Sequence, residues 1–167
     1  IYSPSDLVVF LESPFASWMN RRYLEDRDSL VPDEDDPLMQ VLAKRGIAHE
    51  EKYLEQLKAD GLDVCEIDGE NIYEKTIEAI AAGRDVIFQA RLKGNRFAGY
   101  ADFLKKSHDS DSYGVWDTKL SRSVKPYFMI QLCCYADMLE TMTGIRPETI
   151  GVILGDDAEY CFRVNDF

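Results

Sequence analysis

Asp117 and Lys119 stand two apart in "GVWDTKLSRSVKPYFMIQLCCY", the stretch from Gly114 to Tyr135. On a β-strand, side chains two apart share a face, with Cα atoms roughly 6–7 Å apart. Trp116, Thr118 and Leu120 then point into the opposite layer. A carboxylate beside an ammonium at that spacing can hold a divalent metal and position a water next to it. The plainer reading is a surface ion pair worth ~0–1 kcal/mol. The acid-x-lysine triplet occurs once more, at Glu50-Glu51-Lys52. That copy has helical surroundings, where residues two apart do not face each other.

Other residues converge on the same chemistry. Asp102 lies within "RFAGYADFLKK", a stretch that is small or apolar around it. Burying an acid there is costly unless it is paired or binds a metal. If its strand neighbours that of Asp117, the two acids can meet on one ion; otherwise Asp102 sits on the solvated face of an edge strand. Gln131, amid the apolar run from Tyr127 to Tyr135, needs partners for its amide. It lies four residues before Tyr135, on one helical face. The pair either lines a site near Lys119 or is a satisfied core glutamine with a rim tyrosine. A lone helical histidine, His49, is ordinarily structural, and His108 in a polar loop has no assigned role.

These residues need elements to position them. A Ser5-Asp6 cap predicts a helix over Leu7 to Leu11, and a second runs from about Phe15 to Leu24. "SLVPDEDDP", from Ser29 to Pro37, reads as an acidic loop. Helical spacing predicts a helix from Leu38 to Ala59 ended by Gly61, then a strand from Asp63 to Ile67. A helix from Asn71 to Ala82 stops at Gly83. Strands follow at Val86 to Leu92 and Phe97 to Lys105 around a turn over Lys93 to Arg96, with "HDSDS" as a polar loop. Tyr113 to Leu120 is a third strand of this group, Lys125 to Thr143 a long helix, and Thr149 to Leu154 a strand, with one more at Tyr160 to Val164. The expected whole is a single α/β domain: residues 1–84 mainly helical, and residues 85–167 a hairpin, strand, helix and strand around a mixed sheet.

The 167 residues are 46% hydrophobic, enough for one core. A net charge of −12 argues against passive coating of nucleic acid, but not against an enzyme with a local basic groove. Cys65, Cys133, Cys134 and Cys161 show no C-x-x-C spacing, which points to a reduced, cytoplasmic setting. No stretch has the length and apolarity of a membrane span. The chain starts without methionine and stops within a strand-like pattern, and so reads as a piece of a longer protein.

Taken in order, the residues resemble the PD-(D/E)xK nuclease superfamily, and within it the RecB-like branch, including CRISPR-adaptation and AddB-type nuclease domains. The matches are His49, Gly99-Tyr-Ala-Asp102, Asp117-Thr-Lys119 and Gln131-Leu-Cys-Cys-Tyr135, and "IFQARLKGNRFAGYADFL", with Gln89, is similar to the family's hairpin. Ala101 stands where the superfamily often has proline. The opening "SPSDLVVFLESPF" is also similar, but Ser13 replaces a frequent cysteine and only Cys161 follows Tyr135. The resemblance therefore implies no iron–sulfur cluster in this chain.

What it does imply is a restriction-endonuclease-like core and a Mg²⁺- or Mn²⁺-dependent deoxyribonuclease acting in DNA repair, recombination or processing. His49, Asp102, Asp117 and the Thr118 carbonyl would hold the metal. Asp102, Asp117 and Lys119 would be catalytic, while Gln131 and Tyr135 would contact single- or double-stranded DNA or brace Lys119. Arg21, Arg22, Arg91, Lys93, Arg122 and Lys125 are candidates for a local basic funnel. The resemblance leaves room for helicase or other nuclease domains in the parent protein. The rival readings are a catalytically silent, DNA-binding or scaffolding module of a helicase-type protein, and a structural domain whose motif matches are coincidental.

Overall fold

Capping and glycine punctuation set most element ends in the computed structural model, which describes residues 1–34, 36–108 and 110–167, with residue 29 by its backbone alone. Helix α1 spans Pro4–Glu12 and α2 spans Pro14–Glu25. The Ser3 hydroxyl accepts from the Asp6 N–H at 3.1 Å, and the Asp6 carboxylate accepts from the Ser3 N–H at 2.7 Å. This reciprocal cap, with Pro4 in the first turn, starts α1 earlier than the Ser5-Asp6 cap expected from sequence. Helix α3 is Pro37–Ala59, α4 is Ile72–Ala81, and α5 is Pro126–Thr143. Among the described residues no helix is long and apolar enough to cross a membrane. The stretches 30–36 and 107–112 are loops over their described residues, and Asp35 and Asp109 lie outside these.

Six strands form one mixed sheet: β1 Val64–Glu66, β2 Val86–Gly94, β3 Phe97–Lys106, β4 Tyr113–Lys119, β5 Thr149–Leu154 and β6 Glu159–Arg163. Their order in space equals their order in sequence. The β1–β2 and β4–β5 pairs are parallel, with α4 and α5 as their crossovers, and the other pairs are antiparallel. β3 is thus a central strand, which removes the solvated edge-strand alternative for Asp102. The β2–β3 turn is tighter than the four residues expected, because Lys93 and Gly94 still pair with Ala98 and Phe97. Gly94 permits this close packing: a Cβ there would come within 2.9 Å of the Met138 Cα on α5. At the C-terminus, a 3₁₀ turn at Val164–Asp166 replaces the continuing strand suggested by the sequence.

Two apolar layers sandwich the sheet. On one face, α5 buries Leu132, Ala136 and Leu139 against Leu92, Leu104, Val115, Ile150 and Val152. On the other, the second half of α3 sets Tyr53, Leu54 and Leu57 over Val86, Phe103, Trp116 and Ile153. Leu132 is fully buried, so Leu132→Ala is expected to cost about 2–5 kcal/mol. The two helices therefore reach the middle of the sheet from opposite sides. Between them lies the acidic site.

Candidate active site

The site begins with an irregularity in the β2–β3 hairpin. Phe88 pairs with Phe103 and Ala90 with Ala101, leaving Gln89 and Asp102 opposite one another without a ladder pair. Gln89 has φ of 56°, a left-handed conformation that costs a non-glycine residue roughly 1–3 kcal/mol. The side-chain alternation slips there. Phe88 and Phe103 pack under α3, whereas Ala90 and Ala101, two residues on, belong to the layer under α5. Regular strands would keep residues two apart on one face.

Next to that slip, β3 and β4 part. Their pairing ends at Phe103 with Trp116, and Asp117 to Lys119 continue alongside β5. The Asp102 carboxylate occupies the gap, with its Oδ2 accepting from the Thr118 N–H at 3.0 Å and from the Thr118 hydroxyl at 3.2 Å. Asp117 is buried, 6% exposed, with Lys119 Nζ 2.5 Å from its Oδ2. The ammonium approaches at an angle that leaves this oxygen without a hydrogen bond. The same ammonium stands 5.6 Å from the centre of the Phe128 ring on α5.

Electrostatics tie three acids together. Burial pushes the Asp102 carboxyl well above the usual aspartate range; the Asp117 charge and hydrogen bonding to Asp117 add to this, as does the charge on Glu50. Glu50, half-buried on α3, is also raised, first by burial and then by Asp117 and Glu51, against the lowering effect of its hydrogen bond from the Gln89 amide. These shifts mark a crowded, partly dehydrated group of carboxylates. The three converge without closing into a finished ligand cluster among the described residues. An all-oxygen donor set with one orphaned buried oxygen suits a hard divalent cation, Mg²⁺ or Mn²⁺.

Helix α5 supplies the opposite wall. Gln131 stands beside the Tyr135 hydroxyl, which borders the acids, so this pair lines the site. Burial raises the Tyr135 hydroxyl pKa, and the charges of Asp117 and Asp102 add to the shift. Gly99 leaves room for that ring. A Cβ there would sit 3.0 Å from Tyr135 Cε1, 3.1 Å from its hydroxyl and 3.0 Å from Pro4 Cδ.

Asp102, Asp117, Thr118, Lys119, Gln131 and Tyr135 are thus brought together. His49 sits against the neighbouring strand: its Nε2 lies 3.5 Å from the carbonyl of Ile153, the register partner of Thr118, and its Nδ1 lies 3.9 Å from the Asp157 carboxylate. Glu50, its neighbour in sequence, accepts from the Gln89 amide and feels the charge of Asp117. Sequence reasoning passed over Glu50, yet a signal was present. Glu50, Tyr53, Leu54 and Leu57 follow the i, i+3, i+4, i+7 spacing of a buried face.

Among the candidate cations, Arg21 pairs with Glu25 at 3.1 Å and Arg22 with Asp26 at 3.8 Å, while Lys93, Arg122 and Lys125 are exposed. A groove of about 1030 Å³, bordered by Met129, Ile130, Cys133 and Phe162, is larger than any space beside the acids, but none of the acidic cluster lines it. Arg96, Lys125, Asp137 and Arg146 edge its mainly apolar walls. No protein-family model matches this chain, and no curated protein matches its sequence.

Proposed function

We propose that the chain is a divalent-metal-dependent deoxyribonuclease with a restriction-endonuclease-like core, as its resemblance to the RecB-like PD-(D/E)xK nucleases implies. One observation carries the reading. Asp102, Asp117 and Glu50 meet where β3 and β4 part, an Asp117 oxygen is buried without a hydrogen bond, and Lys119 stands beside it. The order of the motifs and the approach of α3 and α5 from opposite faces also support it.

Asp102, Asp117 and Glu50 would hold Mg²⁺ or Mn²⁺. His49 and the Thr118 carbonyl belong to the ligand set implied by the resemblance. A bound cation would acidify a water and offset charge on the scissile phosphate. Lys119 Nζ, beside Asp117, orients that water and stabilises the charge developing on the phosphate oxygens. Thr118 fixes the Asp102 carboxylate through two donors, so that acid is positioned before substrate arrives. Gln131 and Tyr135 line the α5 side of the acids, and the Phe128 ring on the same helix stands beside Lys119.

The test is Mn²⁺-dependent cleavage of single- and double-stranded DNA by the wild type, Asp117→Ala and Lys119→Ala, with circular dichroism to check folding. Cleavage by the wild type and its loss in both folded variants support the reading. Metal binding without cleavage favours the silent module, and neither binding nor cleavage overturns the site.

A further inference from the structure

We infer that Arg91 and Tyr100, paired across β2 and β3, hold the sugar–phosphate backbone of the substrate at the mouth of the acidic site. The inference rests on the nuclease reading above and deepens it. With a net charge of −12 and three carboxylates at the centre, a polyanion needs fixed cations close to the cleavage point. Four arginines are committed to carboxylates: Arg21 to Glu25, Arg22 to Asp26, Arg84 to Asp63 and Arg146 to Glu140. Arg91 differs. Its guanidinium lies over the Tyr100 ring, 4.6 Å from the centre, and among the described residues it has no carboxylate at ion-pair distance.

Position makes this pair useful. Arg91 and Tyr100 are register partners, and Tyr100 precedes Asp102 by two residues, about 7 Å along the strand. The slip at Gln89 and Asp102 sends Ala90 and Ala101 toward α5, so Arg91 and Tyr100 face the other side of the sheet, from which Glu50 enters. Tyr100 is 43% exposed. Stacking occupies the face of the guanidinium and fixes its plane, leaving the N–H edges free for bidentate bonding to a phosphate. Lys93 is the next residue on that strand face, exposed, and shares with Arg91 an edge groove of about 490 Å³ beside β2, past the end of β1, whose far wall is Tyr73 and Glu74 of α4 and Thr141 of α5. Two cations two residues apart on a strand match the spacing of successive phosphates on a polynucleotide.

The experiment measures anisotropy of a short fluorescein-labelled single-stranded oligonucleotide with Ca²⁺ over a salt series. Mn²⁺-supported kcat and KM and Mn²⁺ affinity are then measured for the same proteins. Arg91→Ala is expected to raise Kd and KM roughly tenfold, the scale of one charge-assisted contact, with kcat within about threefold. The slope of log affinity against log salt falls by about 0.7. Arg91→Lys keeps the salt slope but still weakens binding. Tyr100→Ser weakens binding in the same direction, Tyr100→Phe behaves as wild type, and Mn²⁺ affinity stays constant throughout.

Unchanged Kd and slope in Arg91→Ala, with a wild type that cuts, overturns the inference and leaves the nuclease reading standing. Mn²⁺ affinity lost together with DNA affinity assigns Arg91 a structural role and also overturns it. A wild type that neither binds nor cuts DNA removes the nuclease reading, and this inference falls with it.

Discussion

The chain contains the acid-x-lysine triplet twice, and the two copies do opposite things. On β4, the pleat puts Asp117 and Lys119 on one face, with 2.5 Å between ammonium and carboxylate. On α3, Glu50 and Lys52 diverge around the helix. Glu50 turns inward to Gln89 and feels the charge of Asp117, while Lys52 turns outward to an ion pair with Asp157. The same three-residue pattern is an active-site candidate on a strand and two unrelated contacts on a helix. Yet one member of the helical copy rejoins the strand copy in space. Backbone geometry, rather than the triplet, assigns each residue its work.

The contrast breaks most sharply at the lysines. Lys119→Ala is expected to lower the Mn²⁺-supported cleavage rate by at least about 10²–10³-fold, the scale of losing one electrostatic stabiliser of a transition state. Lys52→Ala should leave that rate within about twofold, because its ammonium serves the exposed Asp157. Equal losses in the two variants would mean that the strand–helix distinction does not govern function.

Next come the acids of α3. Glu50→Gln should weaken Mn²⁺ affinity by about 10–100-fold, whereas the exposed Glu51 should tolerate the same change with little effect. His49→Ala sharpens the comparison further. If it costs more Mn²⁺ affinity than Glu50→Gln, the α3 contribution runs through the histidine of the family pattern.

A smaller effect is expected in the stability of the metal-free protein. The folded-state pKa of Asp102 lies above its unfolded value, so the folded form holds the proton more tightly. Stability should therefore fall as pH rises from about 4 through that raised pKa. Asp102→Asn removes the ionisation, so thermal melts should give it a flatter pH profile and a higher Tm than wild type at neutral pH. A Tm for wild type that climbs from pH 4 to 7 in parallel with the variant contradicts this. The smallest effect belongs to Lys52→Ala on Tm, a shift of no more than about 2 °C, since exposed ion pairs contribute little.

Much of this was legible from spacing alone. Period-two alternation joins Asp117 to Lys119, the four-residue helical step joins Gln131 to Tyr135, and strands and helices fall within a few residues of where apolar patterns put them. Three features were not legible. The left-handed Gln89 is a tertiary choice, since neither glycine nor asparagine marks the position. The parting of β3 and β4 depends on which strand each prefers beyond Trp116, and their local patterns are alike. The seating of α3, which brings Glu50 to Gln89 and within the field of Asp117, depends on Tyr53, Leu54 and Leu57 packing on the sheet. Each is set by packing between distant segments.

The most direct test of the central claim, that Asp117 and its acidic neighbours form a divalent cation site, is calorimetric titration of Mn²⁺ into the wild type and Asp117→Asn. The account predicts one saturable site in the wild type that disappears in Asp117→Asn while circular dichroism stays unchanged. Equal binding in both proteins would contradict it.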